Sequence, residues 1–281
     1  MESLDVSIEG KDNPDNIELM ANYEGNDAVL FIERLRNPNI KKQLINLFQN
    51  AYEARDATGR LVSEVVVDEI TTKPVKDTNG KMMIKKSIFI PITREEIEKN
   101  IDAKLDEVEK ITKITFSGQE PGQNTVDLNW RLPNSEKPTV KQLSIIEAHE
   151  KGHVVRDFPH FGRIDPIAEY FAKGFDSSAI LYREEDYKQE LPMLGDVTYE
   201  KAKEDLFMYL FSSEELAERM SQLKNYFGMK GEELFTKEHL HYAKEHYVQD
   251  TGMNNRMNFF FQAITPGKED DFIYIINTSG I

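Results

Sequence analysis

The sequence predicts an α+β protein, with strands gathered in its first half and helices in its second. Two patterns carry that expectation. Alternating apolar residues and turn dipeptides lie before residue 131, and from residue 139 onward apolar residues recur at helical spacing between capping signals. The third observation is size. With 281 residues, 39% of them hydrophobic, the chain has material for one large domain or a compact pair around a core of its own.

Residues 1–26 are rich in Asp, Asn, Glu and Gly without periodicity and read as a flexible acidic arm. Residues 27–110 read as an N-terminal unit made of a helical pair, a hairpin and a helix. The pair covers 27–36 and 39–55, divided at Asn37-Pro38, with Ile40, Leu44, Leu47 and Phe48 on one face. The stretch "LVSEVVVDEITTKPVKDTNGKMMIKKSIFIPI" predicts two strands around a turn at Asn79-Gly80. Thr93 then opens a helix with Glu96 completing a capping box, and Ile97, Ile101, Leu105 and Val108 follow helical spacing.

Residues 111–281 read as a second unit. "ITKITF" (111–116) and "TVDLNW" (125–130) predict short strands. Thr139 and Gln142 form a capping box for a helix that runs to about Phe158 and stops at Pro159. Asp165 and Pro166 fit the N-cap and first residue of the helix "IAEYFAKGF". After a turn-rich stretch around 191–197, helices are expected over 199–211, 213–227, 236–248 and 254–263, with "TPGKEDDF" (265–272) as a charged turn.

Composition narrows the function classes. The chain has no cysteine, so disulfides, thiolate catalysis and thiolate metal sites are excluded, and a transition metal would need histidine nitrogen and carboxylate oxygen. A net charge of −15 without a basic stripe argues against nucleic acid as a partner. No apolar run approaches the length of a membrane span, and the acidic start "MESLDVSIEG" lacks the apolar core of a secretory signal. The expectation is a cytoplasmic protein without a membrane partner, with association to a phage or virion left open. No P-loop or dinucleotide fingerprint is present.

"IIEAHEKGHVV" (145–155) carries the chemistry. On a helix, His149 and His153 stand one turn apart and can converge on one ion. Glu150 is rotated by about 100°, where its carboxylate reaches water activated by that ion rather than the ion itself. The pattern arises by chance in on the order of one chain in a hundred of this length. The competing reading is a solvated helix with two surface histidines. The H-E-x-x-H arrangement resembles that of the zincin metallopeptidases. Gly152 is common in their longer signature, whereas Glu147 and Lys151 are charged where it is usually uncharged. The resemblance implies a zincin-like fold, with a small mixed or antiparallel sheet, the motif helix and a mainly helical C-terminal part. It also implies a Zn2+ cofactor on His149 and His153, with Glu150 as general base and then general acid.

A catalytic zinc needs a third protein ligand. The metzincin pattern fails, because Arg156 and Pro159 stand where its glycine and third histidine belong; His160 reads as a loop histidine. Glu169 matches the Glu-x-x-Ala look of gluzincin ligand helices, or else is a first-turn glutamate favoured by the helix dipole. Glu215 is preferred. In "SSEELAERMSQLKNYF" it lies at the edge of the apolar face of Leu216, Met220, Leu223 and Phe227, aligned with Arg219, while Glu214 and Glu218 point away. That stretch also resembles the Ser-x-x-Glu…Arg helix of gluzincin-like proteins. Against it, Ser212 and Glu215 satisfy the capping-box rule, so Glu215 has a purely local role to fill. Glu169 ranks second and Glu214 third.

His239, Tyr242 and His246 share a face of "TKEHLHYAKEHYVQD" and are candidates for stabilising an oxyanion or, failing that, for an ordinary hydrogen-bonded helix face or another metal site. By the resemblance, residues 125–130, ending at Trp130, would form the substrate-binding edge. The functional expectation is a gluzincin-type zinc metallopeptidase acting on peptide or protein substrates. The alternative is a catalytically degenerate zincin-like structural or interaction module of a larger assembly.

Overall fold

The computed structural model describes residues 23–54, 59–65, 76, 78–80, 84–111, 113–114, 116–118, 125–128, 138–158, 165–188, 197–253 and 256–281. Its first half contains α1 (Asp27–Arg36), α2 (Pro38–Ala54), β1 (Gly59–Val65), β2 (Ile84–Pro91), α3 (Arg94–Lys110), β3 (Lys113–Ile114), β4 (Phe116–Gly118) and β5 (Thr125–Leu128). There follow α4 (Val140–Val155), α5 (Pro166–Ala172), α6 (Tyr199–Leu210), α7 (Ser213–Tyr226), α8 (Lys237–Thr251), α9 (Met257–Ala263) and α10 (Glu269–Thr278).

The protein is mainly helical, which corrects the α+β expectation. β1 and β2 pair antiparallel as a two-stranded ribbon, while β3, β4 and β5 are two, three and four residues long. Segments that short present too little apolar face to hold a layer. Sequence alternation reports that a segment suits a strand, not that a sheet exists for it to join. The three short strands run in the order β3-β5-β4, with β5 parallel to β3 and antiparallel to β4. Both sides of β5 are therefore paired, and the expected substrate-binding edge at 125–130 is corrected; residues 129 and 130 lie outside the described residues.

Local signals placed the helices well. Both capping boxes form, Thr93 with Glu96 and Thr139 with Gln142, and Asp165 caps α5 ahead of Pro166. The charged turn at 265–272 is a turn only at its start. α10 begins at Glu269, and Glu269, Asp270 and Asp271 fill its first turn, where the helix dipole favours acids. Residues 1–22, 66–75, 129–137, 159–164 and 189–196, which include Pro159, His160 and most of the expected acidic arm, lie outside the described residues. At the described end of that arm, Tyr23 N donates to Tyr226 O at 3.0 Å.

α7 occupies the centre, with α1, α4, α5 and α6 packed around it. Its apolar residues Leu216, Met220 and Leu223 are buried as their spacing predicts. Its polar residues are buried too: Glu215, Glu218, Arg219, Ser221, Gln222, Lys224 and Asn225 are all inside. This corrects the reading that Glu218 points away. Arg156, at the C-terminal end of α4, grips both Glu218 oxygens at 2.7 and 2.9 Å, and both side chains are wholly buried. From α1, Arg34 donates to Asn225 Oδ1 and to Ser221 Oγ, each at 2.8 Å. No helix among the described residues is long and apolar enough to cross a membrane.

Gly152 explains how closely α4 approaches α7. A Cβ at this position would overlap the Glu218 carboxylate, so only glycine leaves room for the ion pair. Gly152→Ala should cost about 1–3 kcal/mol by overpacking, and Glu218→Ala about 3–5 kcal/mol by stranding Arg156. In urea unfolding the double variant should lose less than the sum of the two, because the overlap disappears with the carboxylate. Strict additivity would refute this account of Gly152.

Candidate metal centre

Where α4 crosses α7, His149, His153 and Glu215 converge. His149 Nε2 and His153 Nε2 are 3.0 Å apart, and Glu215 Oε1 lies 3.5 Å from the first and 3.3 Å from the second. Donor atoms about 2.0–2.1 Å from a tetrahedral zinc stand roughly 3.3 Å from one another. The three separations therefore match one face of a zinc tetrahedron, and the donor set of two imidazoles and a carboxylate suits that ion. His149 and Glu215 are each 6% exposed, so two histidines on a solvated helix face do not describe this site.

Local structure aims these groups. Thr139 starts α4 in the register that turns His149 and His153 toward α7. Ser212 caps α7 by accepting from Glu215 N at 3.3 Å, while the Glu215 carboxylate turns to the histidines instead of back to the cap. Only half of the competing capping box is thus present. On its other side, Glu215 Oε2 lies 3.3 Å from Arg219 Nη2, though without hydrogen-bond geometry. Burial works to raise the Glu215 pKa, but His149, His153 and Arg219 outweigh it and hold the carboxyl well below the usual range. For His153, burial disfavours the charged ring, yet Glu215, with Glu218 and Glu150 behind it, holds the pKa up at about 9.

Gln222, about two turns beyond Glu215 on α7, places its amide nitrogen 3.2 Å from His149 Nδ1, and its Oε1 is buried without a partner. A histidine that binds metal through Nε2 carries its proton on Nδ1 and needs an acceptor there. Rotating the Gln222 amide by 180° supplies that acceptor and frees its Oε1 from the partnerless position. Sequence reasoning passed over Gln222, since nothing in a helical repeat marks it as a histidine partner. The two charges beside the motif neutralise each other, with Lys151 Nζ 2.7 Å from Glu147 Oε1.

Glu150 and Tyr209 line the same cavity of about 240 Å³ as the three donors. Tyr209 is in the last turn of α6. Burial is the main cause that pushes its pKa up to about 12, Arg219 opposing and Glu215 adding to the rise, so the phenol is a hydrogen-bond donor at neutral pH. The guanidinium carbons of Arg256 and Arg219 stand 5.1 and 5.7 Å from its ring centroid. Tyr209 follows no motif in "DLFMYLFSSEE", so its role was not readable from spacing.

Comparison of the chain with protein-family models, with curated proteins and with solved structures found no match. The site must speak through its own geometry.

The remaining candidates fall elsewhere. Glu169 is exposed on α5, Glu214 is half-buried, and neither belongs to the His–His–Glu group. His239 Nδ1 accepts from Thr236 N at 3.1 Å and so caps α8. Tyr242 and His246 stack on each other with ring centroids 4.1 Å apart, and His246 Nδ1 lies 3.0 Å from Tyr242 O. None of the three lines the cavity around His149, which corrects their candidacy as oxyanion groups there.

Two predictions follow from these placements. Full-length protein should bind about one zinc per chain, lost in His149→Ala and weakened in Glu215→Ala, and Gln222→Leu should lower zinc affinity by about 10- to 100-fold in chelator competition. The second concerns His239, whose pKa burial lowers to about 4, against a small opposing pull from Glu238. The unfolded chain takes up this proton below about 6.5, the folded protein only near 4. Stability from this group is therefore full above pH 6.5 and lost as pH falls toward 4, by on the order of 3 kcal/mol. His239→Gln keeps a capping side chain and should flatten that part of the urea-midpoint profile; an unchanged slope would rule His239 out as the cause.

Proposed function

We propose that the protein is a zinc-dependent metallopeptidase, a hydrolase that uses the His–His–Glu ligand set of the gluzincin type on a mainly helical frame. The observation that carries this reading is that three donor atoms at tetrahedral spacing share one cavity with Glu150 and Tyr209. The same chemistry recurs on unrelated folds, so the ligand set and not the architecture is the point of likeness.

His149, His153 and Glu215 would hold the ion. When bound, zinc supplies a Lewis acid for a scissile carbonyl and makes water acidic enough to lose a proton near neutral pH. The Glu150 carboxylate takes that proton and returns it to the leaving amine. The Tyr209 hydroxyl donates a hydrogen bond to the carbonyl oxygen as negative charge develops on it. Arg219 holds Glu215 and Tyr209 in place, lying 3.3 Å from the Glu215 carboxylate and 3.5 Å from the phenol oxygen. The substrate class is a peptide or protein.

The depth of the donors favours a second reading, an inert metal-bound module within a larger assembly, because His149 and Glu215 are nearly closed off from solvent. One experiment separates the two. Zinc-loaded protein is incubated with a mixed peptide library and cleavage is followed by mass spectrometry. Glu150→Gln should keep its zinc and lose about 10²–10⁴ in kcat, and Tyr209→Phe should lose about 10²–10³ in kcat with KM little changed. Zinc binding without cleavage by wild type, or full cleavage by Glu150→Gln, would leave the peptidase reading without support.

A further inference from the structure

One polar residue of α7, Lys224, borders a second cavity, away from the metal donors. Of the charged residues on this helix, Lys224 has no ion pair or hydrogen bond at its ammonium group among the described residues, although it is only 2% exposed. Its charged neighbours are mainly cationic. Arg34 and Arg156 are both wholly buried, and Arg34 spends its donors on neutral acceptors, namely Asn225 Oδ1, Ser221 Oγ and Met229 O. Arg156 is paired with the buried carboxylate of Glu218. Arg34 and Lys224 make no ion pair among the described residues, and a buried cation without one is costly in a low-dielectric interior.

Lys224 forms part of the wall of a cavity of about 400 Å³. This volume falls within the range of small-molecule sites, and the cavity shares no lining residue with the one around His149. Asn39, Lys42, Gln43 and Asn46 of α2 and Asn277 of α10 line the same cavity. Two carboxylates also line the cavity, both engaged locally: Asn39 Nδ2 donates to Glu232 Oε1 at 2.5 Å and Gly231 N to Glu233 Oε2 at 2.8 Å. They disfavour a polyanion and so limit the charge of what enters.

We propose that this cavity binds a small oxyanion, a carboxylate- or phosphate-bearing molecule of low charge, with the Lys224 ammonium as its anchor and neighbouring side-chain amides as neutral donors. The anion supplies a counter-charge for Lys224 and for Arg34, neither of which has an ion pair among the described residues. The electrostatics agree. Burial, then Arg34 and Arg156, lower the Lys224 pKa to about 7, Glu233 pulling the other way, so the amine holds its charge weakly until an anion arrives.

The test is thermal unfolding of the full-length protein at constant ionic strength, titrated separately with inorganic phosphate and with acetate. Wild type should show a saturable rise in Tm with at least one probe, since a ligand that binds only the folded state stabilises it. The stronger probe identifies which oxyanion the cavity prefers. Lys224→Met should lose the rise, and Asn46→Asp, which adds a negative charge to the wall at a half-buried position beside Arg94, should weaken binding by at least tenfold. His149→Ala should leave the rise intact. The proposal is overturned if neither probe gives a saturable rise, or if the rise survives Lys224→Met. It is equally overturned if Asn46→Asp leaves binding undiminished, or if His149→Ala removes the rise and so places the ion at the metal donors. Should Lys224→Met fail to fold, the Asn46→Asp comparison decides alone.

Discussion

A buried polar helix has to find a partner for nearly every side chain it brings inside, and α7 imposes this demand on its neighbours. An unpaired charge in an interior costs several kcal/mol, and an unsatisfied amide or hydroxyl costs less but in the same direction. The partners come from helices that would otherwise have little reason to meet at these angles. α1 supplies Arg34 for Ser221 and Asn225, α4 supplies Arg156 for Glu218, and α6 supplies Tyr209 next to Arg219. At the start of α1, Asp27 accepts from Lys141 Nζ at 2.7 Å and bonds Ser144 at 2.9 Å, tying that helix to α4 from the other end. Hydrophobic burial drives the packing, and these polar pairings decide which packing it is.

The metal donors belong to this same network. His153 and Glu215 face each other across the α4–α7 crossing, and three residues further along each helix Arg156 meets Glu218. The ion pair thereby fixes the spacing at which the histidines and the carboxylate approach one another, and Gly152 makes that spacing reachable. Glu215 links two groups, the histidines through Oε1 and the Arg219 guanidinium through Oε2. A cation between His149, His153 and Glu215 would add positive charge where carboxylates already outweigh the cost of burial, as the raised His153 pKa records. Lys224 is in the contrasting situation, where burial first and then the like charges of Arg34 and Arg156 lower its pKa.

Much of this was legible beforehand, and the boundary is instructive. His149, Glu150 and His153 sit within five residues of one helix, so their relative geometry follows from helical pitch alone. Glu215 was reachable by a longer argument, from its place at the edge of an apolar face. Glu218 was misjudged by the same argument, because a helical wheel has one inside and α7 has no outside. Tyr209 and Gln222 left no trace, since each meets the motif histidines dozens of positions away, around one cavity. The α+β expectation failed for a related reason. Alternation is local, whereas a sheet needs neighbours long enough to pair, and β3, β4 and β5 do not extend that far.

The sequence by itself determined where helices begin and which side chains share a turn, because caps, proline positions and the 3.6-residue repeat act over a few residues and need no partner. Thr93, Thr139 and Asp165 behave as their chemistry requires wherever the chain places them. Only the tertiary structure decided that α7 would be enclosed, that its carboxylates would meet Arg156 and the two histidines, and that Lys224 would be left facing a cavity. Those outcomes depend on distances between groups far apart along the chain. They are set by desolvation, a cost that exists only once the helices have closed around the charge.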